Sequence, residues 1–152
     1  MAPLRILFLC TANSCRSQMA EGWTRALHPD RITACSAGTK PSAVHPLTRQ
    51  VMQEAGVDIS GQQAKSLDQF LSEPFDWVIT LCGEANESCP VFPGAVARVH
   101  VGFDDPTRAS GSPEDVLAEF RRVRDEIRAF VAGLPESIGP HLAQDEGTWR
   151  LT

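Results

Sequence analysis

Residues 4–27 read Leu-Arg-Ile-Leu-Phe-Leu-Cys-Thr-Ala-Asn-Ser-Cys-Arg-Ser-Gln-Met-Ala-Glu-Gly-Trp-Thr-Arg-Ala-Leu. Leu4 to Leu9 is apolar throughout except for Arg5, the pattern of a central strand covered on both faces. It ends abruptly in Cys10-Thr-Ala-Asn-Ser-Cys-Arg-Ser17, a short run dominated by small polar residues. Helical spacing then takes over, with Met19, Ala20, Trp23 and Leu27 on one face before Pro29 closes the segment. The order is strand, loop, helix.

The same alternation continues along the chain. Ile32 to Ser36 reads as a second strand ending at Gly38, and Leu47, Val51, Met52 and Ala55 recur at helical spacing up to Gly56. Phe75 to Leu81 and Ala95 to Val101 read as two more strands. Ser112-Pro-Glu-Asp115 is a helix start, with a Ser cap, Pro in the first turn and an acid three residues on. Val116, Phe120, Val123, Ile127 and Phe130 form its apolar stripe, and Gly133 and Pro135 end it. Strands alternating with helices predict a single-domain, three-layer α/β/α fold around a central four-stranded parallel sheet. The domain is expected over residues 1–134, with 135–152 as a draped or mobile tail.

A chain of 152 residues is one domain's worth and can bury a real core. No apolar run approaches the roughly 20 residues needed to span a bilayer, and the first residues lack a signal-peptide pattern. The reading therefore expects a cytoplasmic chain without a membrane partner. Net charge is −5 with no dense Lys/Arg run, so a nucleic-acid footprint is missing. A small anionic ligand would have to be held locally, by backbone amides and one or two placed cations. The five cysteines, at 10, 15, 35, 82 and 89, are read as reduced thiols rather than a disulfide framework.

In open α/β sheets, ligands bind beyond the carboxyl ends of the strands. Cys10 stands there, with Arg16 six positions on and a hydroxyl, Ser17, at the mouth of the helix. The loop Thr11, Ala12, Asn13, Ser14, Cys15, Arg16, Ser17 can wrap a tetrahedral oxyanion with N–H groups at a positive helix end. Arg16 can grip two of its oxygens, and the same dipoles favour a Cys10 thiolate to which Ser17 could donate. A bare Cys-x5-Arg arises by chance and can be a buried Cys before a polar loop. Placement between a buried strand and a helix gives this one its meaning.

Cys82 follows the third strand and can approach the same sheet edge, and Cys89 comes seven residues later. On a helix the two would share a face yet stand roughly 10.5 Å apart along the axis. A disulfide needs Cα atoms within roughly 4.4–6.8 Å, so the segment would have to unwind. Gly83 and Pro90 allow that. These thiols read either as inert core or as a relay serving Cys10. Asp105, in Phe103-Asp-Asp-Pro106, reads either as a turn carboxylate or as an acid whose pKa a bound oxyanion raises. Cys15 and Cys35 read as structural, Trp23 and Trp77 as core, and His28, His45, His100 and His141 lack metal-ligand spacing, so no metal site is predicted.

Cys10 to Trp23 resembles the start of the arsenate reductases built on the low-molecular-weight tyrosine phosphatase fold. The likeness continues through Ser36-Ala-Gly38, Val78-Ile-Thr-Leu-Cys-Gly83, Cys89-Pro90, Gly102-Phe-Asp-Asp-Pro106 and Phe120-Arg-Arg-Val-Arg-Asp-Glu-Ile127. The resemblance implies arsenate reduction to arsenite through Cys10, then Cys82, then Cys89, with Arg16 binding and Asp105 as proton donor. It implies thioredoxin as reductant, since relatives using other thiols generally lack the second cysteine pair. Phosphate and sulfate would compete as oxyanions, no cofactor would be needed, and the protein is expected to be a monomer. The alternative is a low-molecular-weight phosphatase using Cys10, Arg16 and Asp105 alone. Against it, such an enzyme has no use for Cys82 and Cys89, and the chain lacks the tyrosines that related phosphatases carry beside the Asp-Pro pair.

One departure from the family stands out. Some members bind potassium through residues matching Asn13, Glu21, Ser36 and an Asp at the position of Lys65. Here the Lys65 ammonium is expected to take the ion's place, pairing with Glu21 and bracing Asn13.

Overall fold

The computed structural model describes residues 3–88, 95–138 and 148–151. Five parallel strands form one sheet in the order β2-β1-β3-β4-β5: β1 (Leu4–Cys10), β2 (Ile32–Gly38), β3 (Phe75–Thr80), β4 (Ala95–Val101) and β5 (Thr148–Leu151). Four of these are the strands the sequence predicts. The fifth comes from the stretch read as a tail, where Thr148–Leu151 pairs in register with Arg98–Val101. It covers an edge of β4 that would otherwise present a row of unpaired N–H and C=O groups.

The helices are α1 (Arg16–Leu27), α2 (Pro46–Glu54), α3 (Gly83–Ser88) and α4 (Pro113–Ala132). Alternation along β1 assigns its side chains to opposite faces. Ile6 and Phe8 join Met19, Trp23, Met52, Phe120, Val123 and Ile127 in one core layer, so α1, α2 and α4 cover that face. Leu7 and Leu9 join Leu67, Phe70, Val78, Cys82 and Ala85 in the other, under α3 and a 3-10 turn. Each fully buried large side chain contributes roughly 1.5–3 kcal/mol. That two-sided burial is why β1 is continuously apolar. Among the described residues, no helix is long and apolar enough to cross a membrane.

Local chemistry sets the ends of α4. Ser112 Oγ accepts from Asp115 N, and the Asp115 carboxylate accepts from Ser112 N, both at 3.1 Å, closing the predicted capping box. α2 starts one residue ahead of its first apolar position, with Pro46 in the first turn and His45 Nδ1 accepting from Leu47 N. β1 pairs with β2 on one side and β3 on the other. The chain therefore changes winding direction at β1, which opens a crevice above Cys10.

Candidate active site

The crevice is a cavity of about 630 Å³ lined by Cys10, Thr11, Ala12, Ser14, Cys15 and Arg16, and by Cys82, Phe103 and Asp105 across the sheet edge. Its floor is shaped by where the loop's carbonyls point. Those of Cys10, Thr11, Ala12 and Ser14 accept from the N–H groups of Thr39, Lys40, Ser42 and His45, and that of Cys15 accepts from Met19. Asn13 O accepts from Gln18 Nε2 at 3.0 Å. In a trans peptide the N–H points opposite to the C=O. Six outward carbonyls thus turn the N–H groups of residues 11–16 inward, toward one point at the start of α1, whose first turn carries no acid.

Two features permit this tight wrap. Asn13 takes φ +51°, a left-handed conformation that Asn tolerates better than most residues. Gly38 backs directly onto the loop, where a Cβ would lie 2.6 Å from Thr11 O and 3.0 Å from Asn13 N. The side chains of Asn13 and Ser17 are fully buried and stand behind the cradle, to which Asn13 lends only its main-chain N–H. Asn13 Nδ2 donates to Ser17 Oγ (2.7 Å) and Ser36 Oγ (3.0 Å). Ser17 Oγ lies 2.9 Å from Cys10 Sγ.

Arg16 donates to Phe103 O at 3.2 Å and lies 3.6 Å from Asp105. Asp105 also accepts from the Thr107 N–H (3.0 Å) and hydroxyl (2.6 Å). Burial pushes the Asp105 carboxyl up, but the Thr107 bonds and the charges of Arg16 and Arg108 outweigh it. The carboxyl is held below its ordinary value; the rise that the sequence reading expects is one that a bound oxyanion would bring. Thr107 and Arg108 tip the balance; the Thr107 N–H bond is that of the turn carboxylate the sequence offered, while the Thr107 hydroxyl and the Arg108 charge were not legible as partners. Cys82 Sγ lies 3.3 Å from Thr11 Oγ1 and accepts from Ala85 N at 3.4 Å. Cys89 lies outside the described residues. Burial pushes the Cys15 thiol up and keeps it protonated within the Cys10–Ser17 loop.

Behind the loop, Ser36 donates to Glu21 at 2.8 Å, and Glu21 also meets Arg25 (3.2 Å) and the Lys65 ammonium (3.8 Å). Asn13 Oδ1 accepts from the Lys65 backbone N–H and from Gln18 Nε2, both at 2.9 Å. Lys65 therefore braces Asn13 through its main chain, while its ammonium donates to Gln63 O at 2.8 Å. This donor set does not fit a potassium ion, because the ammonium already faces the carboxylate and would repel a second cation. Sequence reasoning missed Gln18 and Gln62, which link α1 to this cluster. The available signal was an amide side chain, Gln18, directly beside Met19 and Ala20 of the apolar stripe, and the structure buries it.

A cysteine at a strand end, a cradle of main-chain amides, a forked cation and a facing carboxylate define a class. Residues 5–144 match the model of the low molecular weight phosphotyrosine protein phosphatase family, and the chain belongs to that family. Within it, the chain is similar to arsenate reductases. That of Halalkalibacterium halodurans is 51% identical over 122 residues, covering 80% of this chain and 88% of that one. A solved arsenate reductase in a phosphate-binding state has a TM-score of 0.76 at 34% identity, covering 90% of this chain and 99% of that one. The thioredoxin-dependent arsenate reductase of Corynebacterium glutamicum has a TM-score of 0.64 at 25% identity, over 92% of this chain and 64% of that one.

Proposed function

We propose that this chain reduces arsenate to arsenite through Cys10, Cys82 and Cys89 and is recycled by thioredoxin. The observation that carries this reading is that Cys10 and Cys82 line one cavity with the oxyanion cradle, Arg16 and Asp105. A phosphatase would leave Cys82 without a task there.

Arsenate sits on the amides of residues 11–16, with Arg16 gripping two oxygens. The Cys10 thiolate attacks arsenic, and one oxygen departs as water with a proton from Asp105. Binding prepares that proton, since the anion's charge stands beside the carboxylate and draws Arg16 away from it, both of which raise its pKa. Cys82 then attacks the Cys10 sulfur. The S–As bond breaks with its electron pair left on arsenic, which departs as arsenite, and a Cys10–Cys82 disulfide remains. Cys89 attacks Cys82, freeing Cys10 and leaving Cys82–Cys89 for a dithiol protein to reduce by exchange. Two thiols supply the two electrons, so the steps call on no cofactor. Phosphate and sulfate fit the same cradle as competitors. Behind it, Lys65 takes the place of a potassium ion. Reduced cysteines suit a cytoplasmic chain, and a monomer is supported by Val96 being the one exposed large apolar residue among those described.

The test is arsenate-dependent NADPH oxidation coupled through thioredoxin and thioredoxin reductase. Wild type should turn over repeatedly and Cys89→Ser should stop after one cycle. No arsenate turnover, with robust Cys10-dependent phosphate-ester hydrolysis, would move the assignment to a phosphatase.

A further inference from the structure

We infer that Arg122, on α4 and at the rim of the cavity, is a positioning residue that sets the turn carrying Phe103 and Asp105. The inference rests on the Cys10–Arg16 loop being the oxyanion site.

Arg122 is held by three carboxylates. Its Nε and Nη2 fork onto Glu119 at 3.2 and 2.7 Å, and its Nη1 donates to Glu126 at 2.6 Å. Both lie on its own helix, so they fix its rotamer. The third contact leaves the helix, with Nη2 donating to Asp104 at 2.9 Å, 18 positions away in sequence. Asp104 stands between the two residues that serve Arg16. On one side, the Phe103 carbonyl accepts from Arg16. On the other, Asp105 faces the Arg16 guanidinium. The Phe103 ring also packs on Phe130 of α4, with centroids 5.8 Å apart. Two successive side chains thus clamp this turn to α4, and the groups beside them aim at the cation and at the substrate. A loop ending in a carboxylate needs such support, because misplacement by about 1 Å can cost a hundredfold in rate.

Arg122 could instead act only through its charge, offsetting Asp104 and Glu119 at the rim. The two roles give opposite signs in one comparison. Arg122→Ala removes a positive charge and Asp104→Ala a negative one, yet both cut the same tether. Positioning predicts that both variants slow arsenate-dependent loss of the Cys10 thiol, each about five- to twenty-fold, within the range for coupled neighbours. The double variant should be no slower than the slower single. Reduction of the oxidised enzyme by thioredoxin should not change, and melting should move by no more than about 3 °C, since exposed pairs add little stability. Calorimetric binding of inorganic phosphate supplies a readout free of turnover, and both variants should weaken it. A faster or unchanged Asp104→Ala overturns the inference, as do additive effects or equal slowing of both half-reactions. A wild type that binds phosphate but does not reduce arsenate overturns the proposed function, and the phosphate comparison then still decides the role of Arg122.

Discussion

Ser17 Oγ lies 2.9 Å from Cys10 Sγ and accepts a hydrogen bond from Asn13 Nδ2 on its other side. With that amide proton filling one acceptor site on Ser17 Oγ, the Ser17 hydroxyl proton is available to point at sulfur. The buried Asn13 amide therefore orients a hydroxyl that the cavity itself does not touch.

Ser17→Ala should slow alkylation of Cys10 by iodoacetamide at neutral pH. A hydrogen bond to a charged group is worth roughly 1.5–3 kcal/mol, or about 10–100-fold. The less stabilised sulfur is more nucleophilic, with a Brønsted slope of about 0.4–0.5, which recovers about half of the logarithm. The net expectation is a slowing of about 3–10-fold, followed by quenched labelling and peptide mapping. An unchanged rate would mean that Ser17 does not donate to the sulfur.

Gly38→Ala would drive a methyl group against Thr11 O, Asn13 N and Ala12 C, all of them backbone atoms of the cradle. Nothing there is the flexible end of a side chain, so the loop itself must move. A loss of about 1–3 kcal/mol is expected in urea unfolding, with arsenate reduction falling further than stability alone explains.

Thr107→Val removes the 2.6 Å hydroxyl bond that helps hold Asp105 down. The carboxyl should rise toward its ordinary value of about 3.9, visible by carbon-detected NMR titration. A carboxyl depressed on folding contributes stability above its unfolded pKa and loses it as pH falls through the folded value. The stability gap between wild type and Thr107→Val should therefore be present at neutral pH and close as pH falls below about 4. A gap that widens in acid would contradict the assignment.

Replacing sodium with potassium at matched ionic strength should alter neither the melting temperature nor kcat/KM, because the Lys65 ammonium already faces Glu21. A potassium-specific rise in either quantity would show that an ion still enters beside Asn13.

The frame was legible because its signals are local. Leu4–Leu9 could be read as a buried strand without knowing its neighbours, and Ser112 with Asp115 carries its own capping box. Thr148–Leu151 could not be read this way, because four residues are too few to show a period and they join the sheet only through β4. At the site, Cys10 and Arg16 showed themselves by spacing and by their position after a strand, while the choice of Asp105 over Asp104 came from the family resemblance. Their tuning depended on residues distant in sequence, such as the Phe103 carbonyl on Arg16, 87 positions away. The depressed Asp105 is the instructive case. Thr107 is only two residues off, but which way its hydroxyl turns is decided by the 3-10 turn and not by composition.

The 71 positions between Thr11 and Cys82 have a consequence for the life of the chain. Cys10 is synthesised well ahead of β3, and at about 5–20 residues per second the gap amounts to several seconds on a translating ribosome. Through that interval its sulfur has no pairing of Ile6 with Trp77 beneath it and no Cys82 opposite. A nascent chain therefore carries the Cys10 loop before Cys82, Phe103 and Asp105 exist to complete its cavity. The proposed passage of a disulfide from Cys10 to Cys82 is therefore confined to molecules in which β3 has already joined β1.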